Sequence, residues 1–512
     1  IVLEENRIML HNKHKFTSRV LCLLLALSLS SAASCGDNAA QSDDGAPDSQ
    51  GTATTVETEL APDLPAYDGD GRDFTILAKM EGSMSGRWTA LDAYVEEQTG
   101  EIVNDAVYDR NIALESKYNI NIKADYMDIG GQYSYNMYKE ISKLIMAGDT
   151  TYDIIMPTIQ DAALLSRDGM LYDLNSVGNI NLDMPWWNAQ FNKDVNIGGK
   201  SYFANGDICM SFIRASYCVL FNKGIIEDYG IENPYDVVSN GEWTMDKMLE
   251  LASQFAGDTD GNGKYDTADN VGLGMLNNHV EVFYTSAGGK FVTYDDNDGF
   301  VFCGGDERNI AVLEKILGIY TNTDSVICFS NNSKRSANLA GLGHVEAAAA
   351  AFEAGTLLFL AGTMNNVPSM RDMTTDFGIL PYPKYDENQT DYYTYVQTWA
   401  SGCAAIPITC LDINASSIIM EDMAYLSSQY ITPAFYETAL KNKYARDNES
   451  QEMLDLICET RTCDIGNLYN IGGLVSLLTN NINSGKGDFV STITSLESSI
   501  GKTLDEINEL YS

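Results

Sequence analysis

The chain has 512 residues, with 72 Asp+Glu against 32 Lys+Arg and a formal net charge of −40. A field that negative opposes nucleic acid, anionic membrane surfaces and strongly anionic ligands. The length excludes one small core and points to two lobes, because single hydrophobic cores stop growing near about 250–300 residues.

From Met9 the sequence takes the form of an export signal. MLHNKHKFTSR is basic, Val20–Leu29 is a short apolar run, and SSAAS leads to Cys35. The run is about half the length needed to span a bilayer. Residues 1–8, with Glu4 and Glu5, suit a signal poorly, and Met9 is the expected start. Ala-Ala-Ser-Cys resembles a bacterial lipoprotein box, with Ala32 where Leu is usual, and implies that residues 1–35 are a signal and that Cys35 is lipidated. Residues 36–66 contain no aromatic, Lys or Arg. Such a stretch cannot bury enough apolar surface to order itself, and it reads as an acidic, disordered tether.

Beyond it, FTILA (74–78) reads as a strand, 102–118 as a helix, NINIKADY as an alternating strand, 135–147 as a second helix and YDIIMP as a buried strand. This βαβαβ rhythm predicts an α/β lobe with a largely parallel sheet. KSYFA and CVLFN read as further strands. Thr244 is the expected N-cap of MDKMLELASQF, and Gly355 the stop of HVEAAAAAFEAG. After about residue 412 the chain reads as mainly helical.

One loop carries a metal pattern. Asp258, Asp260, Asn262, Asp266 and Asp269 place oxygens at positions 1, 3, 5, 9 and 12, with Gly263 at position 6. The Lys264 carbonyl supplies position 7, which completes a Ca²⁺ loop in which Asp replaces the usual Glu at the end. An Asx- and Gly-rich turn is the alternative. Asp295–Gly299 is too short for such a loop and reads as a turn. The eight cysteines after Cys35 include no Cys-x-x-Cys pair, and buried free thiols are expected. Only His279 and His344 remain as histidines, no Gly-x-Ser-x-Gly occurs, and no catalytic constellation stands out.

NDAVYDRNIALESKYNINI, YDIIMPTIQDAALLSRDGMLYDLN, DMPWWN, IGGKSYFANGD, CVLFNKGIIEDYGIENPYDVVSNGEWTMDKMLELA, FEAGTLLFLAGT and the segment MRDMTTDFGILPYPKYDENQTDYYTY follow one another in an order and spacing that resemble bacterial extracellular solute-binding proteins of the family-one type, relatives of maltose-binding protein. The resemblance spans residue 70 to the C-terminus. It implies a two-lobed, periplasmic-binding-protein-like (type II) α/β fold with a hinged cleft and a helical C-terminal part. The expected lobes are 67–212 plus 361–403, and 213–360 plus 404–512, with crossings near Ser211–Cys218, Phe359–Thr363 and Trp399–Ala405. It further implies a monomeric, non-enzymatic receptor that hands its solute to the permease subunits of an ABC transporter at the outer face of the cytoplasmic membrane.

Placed on that fold, strand ends and crossings nominate a ligand site. Trp88, Gln160 and Asp161 follow first-lobe strands; Asp207 and Arg214 flank the first crossing. Asn278 and His279 lie in the second lobe; Asn365 and Trp399 lie at the later crossings. With 29 Tyr, 17 Phe and 5 Trp, the chain suits a sugar, whose apolar ring faces stack on aromatics while its hydroxyls are hydrogen-bonded. Peptides and cationic solutes remain open as ligands, and an anchored carbohydrate-active enzyme or a Ca²⁺-dependent adhesion or scaffold protein as functions. Trp186 and Trp187 are expected to pack between the lobes, Trp243 at the start of its helix, and His344 on the surface.

Overall fold

The computed structural model describes residues 60–80, 92–128, 136–295, 299–370, 373–441 and 448–511. The expected signal, Cys35, residues 36–59 of the tether and Trp88 lie outside them.

Phe74, Ile76, Leu77 and Ala78 of β1 (Arg72–Met80) are all buried, so both faces of the strand are covered. β2 (Ile120–Asp128) and β3 (Ile154–Met156) flank it in parallel, in the order β2-β1-β3. The crossover helices are α1 (Ile102–Tyr118) and α2 (Asn136–Met146), close to their predicted bounds. Asn119 ends α1 in the left-handed region at φ 48°, which a short amide side chain tolerates. Three further helices complete this part: α3 (Ile159–Arg167), α4 (Ala189–Asp194) and α5 (Met210–Arg214).

A second sheet begins with β4 (Tyr217–Asn222), buried at every residue. The chain continues through α6 (Lys223–Tyr229), α7 (Pro234–Ser239), α8 (Met245–Phe255), β5 (Val271–Met275), α9 (Val280–Ser286) and the hairpin β6 (Val292–Tyr294)–β7 (Phe300–Phe302). Then come α10 (Glu307–Thr321), β8 (Val326–Cys328), α11 (His344–Glu353), β9 (Leu357–Thr363) and β10 (Phe377–Leu380). The sheet order is β10-β4-β9-β5-β8, with β4 antiparallel to both neighbours. Thr244 caps α8 as expected, accepting from the Lys247 amide at 3.2 Å. Gly378 on β10 is required by packing, since a Cβ there would lie 2.1 Å from the Phe221 ring.

The last part is helical apart from two short strands: β11 (Thr394–Tyr395), α12 (Ile413–Lys441), α13 (Asn448–Glu459), β12 (Arg461–Thr462), α14 (Ile465–Leu468), α15 (Leu474–Asn483) and α16 (Phe489–Tyr511). α12 returns to the first sheet and packs on α1. Buried Arg110 donates to Ser427 at 3.0 Å, and Lys117 and Tyr118 both donate to Asp422. The Trp186 and Trp187 indoles donate to the two carboxylate oxygens of Glu421, at 2.9 and 2.8 Å. Both tryptophans therefore pack inside the first lobe rather than between lobes. Trp243 is fully buried, donating to the Pro381 carbonyl at 2.9 Å, and His344 is exposed beside Arg335.

The pairing moves two expected boundaries. The apolar run 357–363 is a central strand of the second sheet, and the chain turns back from it into β10, so 361–395 stays with the second lobe. Residues 404–407 instead bridge to the first lobe, Ile155 to Ala405, Leu171 to Pro407 and Ala204 to Ala404, and α12 follows them. KSYFA forms no regular strand and contributes only isolated bridges, Lys200 to Ile197 and Ala204 to Ala404. All eight described cysteines are free; Cys209, Cys218, Cys403 and Cys410 are buried, and burial pushes those thiols above their ordinary value. Among the described residues no helix is long and apolar enough to cross a membrane.

Candidate functional site

Three chain segments meet where the two sheets join. Ser216, just before β4, bridges to Val396; the Met364 amide donates to the Ser216 carbonyl at 2.9 Å, and the Gln397 amide to the Ala215 carbonyl at 3.1 Å. Two crossings at this junction are thus Arg214–Tyr217 and Tyr395–Gln397. The second lies a few residues ahead of the expected Trp399–Ala405, because 402–407 already belongs to the first-lobe ladder. Segment 398–402 also holds the start of α3: the Ile159 and Gln160 amides donate to the Ser401 and Thr398 carbonyls at 3.0 and 3.2 Å.

This junction gathers five of the predicted residues. Gln160 and Trp399 are half-buried on adjoining segments. Arg214 directs Nε and Nη2 at the Asn365 amide oxygen, at 3.1 and 2.8 Å, which ties the end of α5 to the turn after β9. Asn278 is exposed and donates to the Tyr217 hydroxyl at 3.4 Å. The result is a cluster of neutral hydrogen-bonding groups and aromatic faces with one guanidinium, chemistry suited to a polar, uncharged solute.

Other predicted residues turn inward. Asp161 closes a capping arrangement, accepting from Thr158 Oγ1 at 2.7 Å and the Tyr138 amide at 3.1 Å. Its carboxylate is spent on the fold, and burial raises its pKa. Asp207 accepts from Thr432 on α12 at 2.7 Å; burial pushes it up to about 6. His279 lies 5.4 Å from the Tyr217 ring and within 3.2 Å of the Tyr382 hydroxyl, and burial lowers its pKa to about 3. It is a neutral core imidazole.

Sequence reasoning passed over tyrosines. Tyr217 and Tyr395 face each other across the crossings, ring centroids 5.5 Å apart, and the Tyr395 hydroxyl donates to Glu281 at 2.9 Å. Their signal was an aromatic opening YCVLFN and another within TYVQ. A high tyrosine count hid it.

In the metal loop, carboxylate oxygens of Asp258, Asp260 and Asp269 lie within 4.8 Å of one another. Oxygens bound to one Ca²⁺ at about 2.4 Å can be separated by up to about 4.8 Å, so these three fit a single ion. The turn is shaped by Asp258 accepting from the Gly261 and Gly263 amides, with both glycines at positive φ. Asp269 is buried and accepts from the Thr259 and Asp266 amides. Asn262 and Asp266, by contrast, accept from the Lys264 and Ala268 amides, and neither Asp266 nor any other His, Cys, Asp or Glu joins the trio among the described residues.

No family model matches the chain, and no curated protein matches it in sequence. Solved structures do match in fold. An ABC substrate-binding protein from Listeria monocytogenes in complex with cycloalternan is 13% identical, with a TM-score of 0.52, over 85% of this chain and 100% of that one. The galacto-N-biose/lacto-N-biose I-binding protein of an ABC transporter from Bifidobacterium longum is 12% identical, with a TM-score of 0.54, over 86% and 98%. The maltose/maltodextrin-binding domain from Bdellovibrio bacteriovorus bound to maltotriose is 14% identical, with a TM-score of 0.50, over 85% and 99%. With its two sheets joined at paired crossings, this chain has the two-lobed, periplasmic-binding-protein-like fold of the maltose-binding type.

Proposed function

We propose that the protein is a solute-binding receptor that captures a sugar or oligosaccharide between its lobes and delivers it to an ABC permease. The observation that carries this reading is the junction itself: two crossings, Arg214–Tyr217 and Tyr395–Gln397, with Gln160, Asn278, Asn365 and Trp399 gathered around them. Hinge closure over a ligand needs crossings of this kind, and the groups beside them are those that hold hydroxyls and sugar faces. The net charge of −40 supports a neutral solute over an anion. The sugar-binding proteins that share the fold support the same class.

The reading includes residues 1–35 as export signal, lipid on Cys35 and residues 36–66 as a tether at the outer membrane face. It also includes one Ca²⁺ ion held by Asp258, Asp260 and Asp269, away from the ligand. Screening glycan and peptide libraries by thermal shift tests the core of the proposal. A glycan should raise the melting temperature by mass action, with Trp399→Ala lowering its affinity roughly ten- to hundredfold. Stabilisation by peptides alone would overturn the sugar assignment.

A further inference from the structure

Two tyrosines of the second lobe reach main-chain carbonyls of the first. Tyr294, at the end of β6, donates its hydroxyl to the Asn196 carbonyl just past α4, at 3.1 Å. Tyr469, which caps α14, donates to the Ala163 carbonyl on α3, at 3.2 Å. We infer that these two phenols form a clasp that holds the lobes in their closed orientation.

The residues around each contact fit that role. The Tyr294 hairpin is a stiff arm: Tyr294 packs on Phe300 across it, ring centroids 5.1 Å apart, and the Asn508 side chain on α16 exchanges hydrogen bonds with the Phe300 backbone. Tyr469 sits on a short helix whose N-cap, Asp464, also accepts from the Phe291 amide. On the other side, Ala163 lies three residues beyond Gln160, on the helix whose first amides bond to the crossing segment. Asn196 follows Asp194, whose carboxylate accepts from Thr462 and the Cys463 amide. The four partners thus stand on four separate elements, and the two bonds together fix one orientation of the lobes.

Reversibility follows from exposure. Tyr294 is 46% exposed, and Tyr469 is half-buried at the edge of the core. On opening, each phenol exchanges a protein hydrogen bond for one to solvent at little cost, and the buried Ala163 carbonyl keeps the Ser166 hydroxyl as a donor.

The test needs no solute, so its outcome is independent of the sugar-receptor reading. Full-length protein, unfolded and refolded during purification to strip carried molecules, is compared with Tyr294→Phe, Tyr469→Phe and the double variant by small-angle scattering. Each lost hydroxyl should shift the closed-to-open ratio roughly two- to tenfold, and the double variant by about the product. The expected result is a larger radius of gyration in the double variant, intermediate values in the singles and an unchanged far-ultraviolet spectrum. If the double variant misfolds, the single variants decide the question in the same way. A radius of gyration equal to wild type in folded variants overturns the clasp.

Discussion

His279 is wedged between the Tyr217 and Tyr382 rings, and burial holds its pKa at about 3 against an ordinary 6.5. The unfolded chain then takes up a proton that the folded protein refuses. Stability from this residue is full above pH 6.5 and is lost as pH falls from there towards 3. His279→Asn keeps a polar partner for Tyr382 and removes the titration. Melting curves between about pH 7 and 4.5 should show wild type losing on the order of 1 kcal/mol per pH unit more than the variant. Asp207 works in the opposite sense. Burial raises it from 3.8 to about 6, so its contribution is full below 3.8 and is lost as pH rises through 6. Asp207→Asn retains an acceptor for Thr432, and at pH 7 it should melt no lower than wild type, with the difference shrinking towards pH 4. A variant that is markedly less stable at pH 7 would contradict that account. Burial also marks the boundary of what sequence shows about the site. Gln160, Arg214, Asn365 and Trp399 lie at or beside the crossings, where the resemblance to the solute-binding fold placed them. Asp161, Asp207 and His279 looked alike by the same criterion, and only their neighbours Thr158, Thr432 and Tyr382 show that they face inward.

At the scale of elements, α12 is fastened to the first lobe by the Glu421 carboxylate, which takes both indole N–H groups of the Trp-Trp pair. Glu421→Gln offers one good acceptor and sets its amide N–H₂ against the other indole. It should cost about 1–3 kcal/mol, read as a lower denaturant midpoint with an unchanged slope. The helix was legible from composition, but its partner was not, since a 29-residue helix after two lobes of strands can dock on either. The same limit explains LFLAGT: its apolar run reads as a strand, yet only the β4–β9 pairing separates a central strand from a crossing. The Asp258–Asp269 loop shows how local chemistry fares better. Its turn is fixed by its own glycines and aspartates, and three of its expected ligands do converge. Ca²⁺ at a hundredfold above its dissociation constant should stabilise the fold by about 2.7 kcal/mol, and the Asp258→Asn, Asp260→Asn double variant should lose that response. Equal shifts in both proteins, measured with and without chelator, would remove the ion from the account.

For the whole molecule, the proposed anchor makes a cell-level prediction. Cys35→Ser should move the protein from the membrane fraction to the medium, as followed by immunoblotting; a variant that stays membrane-bound contradicts lipid attachment at that residue. The discontinuity of the first lobe has a further consequence, in the order of synthesis. Helix α1 sends Lys117, Tyr118 and one Arg110 nitrogen to partners on α12, Asp422 and Ser427, while the rest of the Arg110 guanidinium bonds Asn111 and the Asp92 and Ala93 carbonyls. Those partners are made only after the entire five-stranded sheet has been translated. A nascent chain that ends before Ile413 therefore lacks the hydroxyl and the carboxylate that complete this face of α1, and its first lobe closes only once α12 has been made. On the proposed reading of an exported protein, this late closing of the first lobe is a built-in delay.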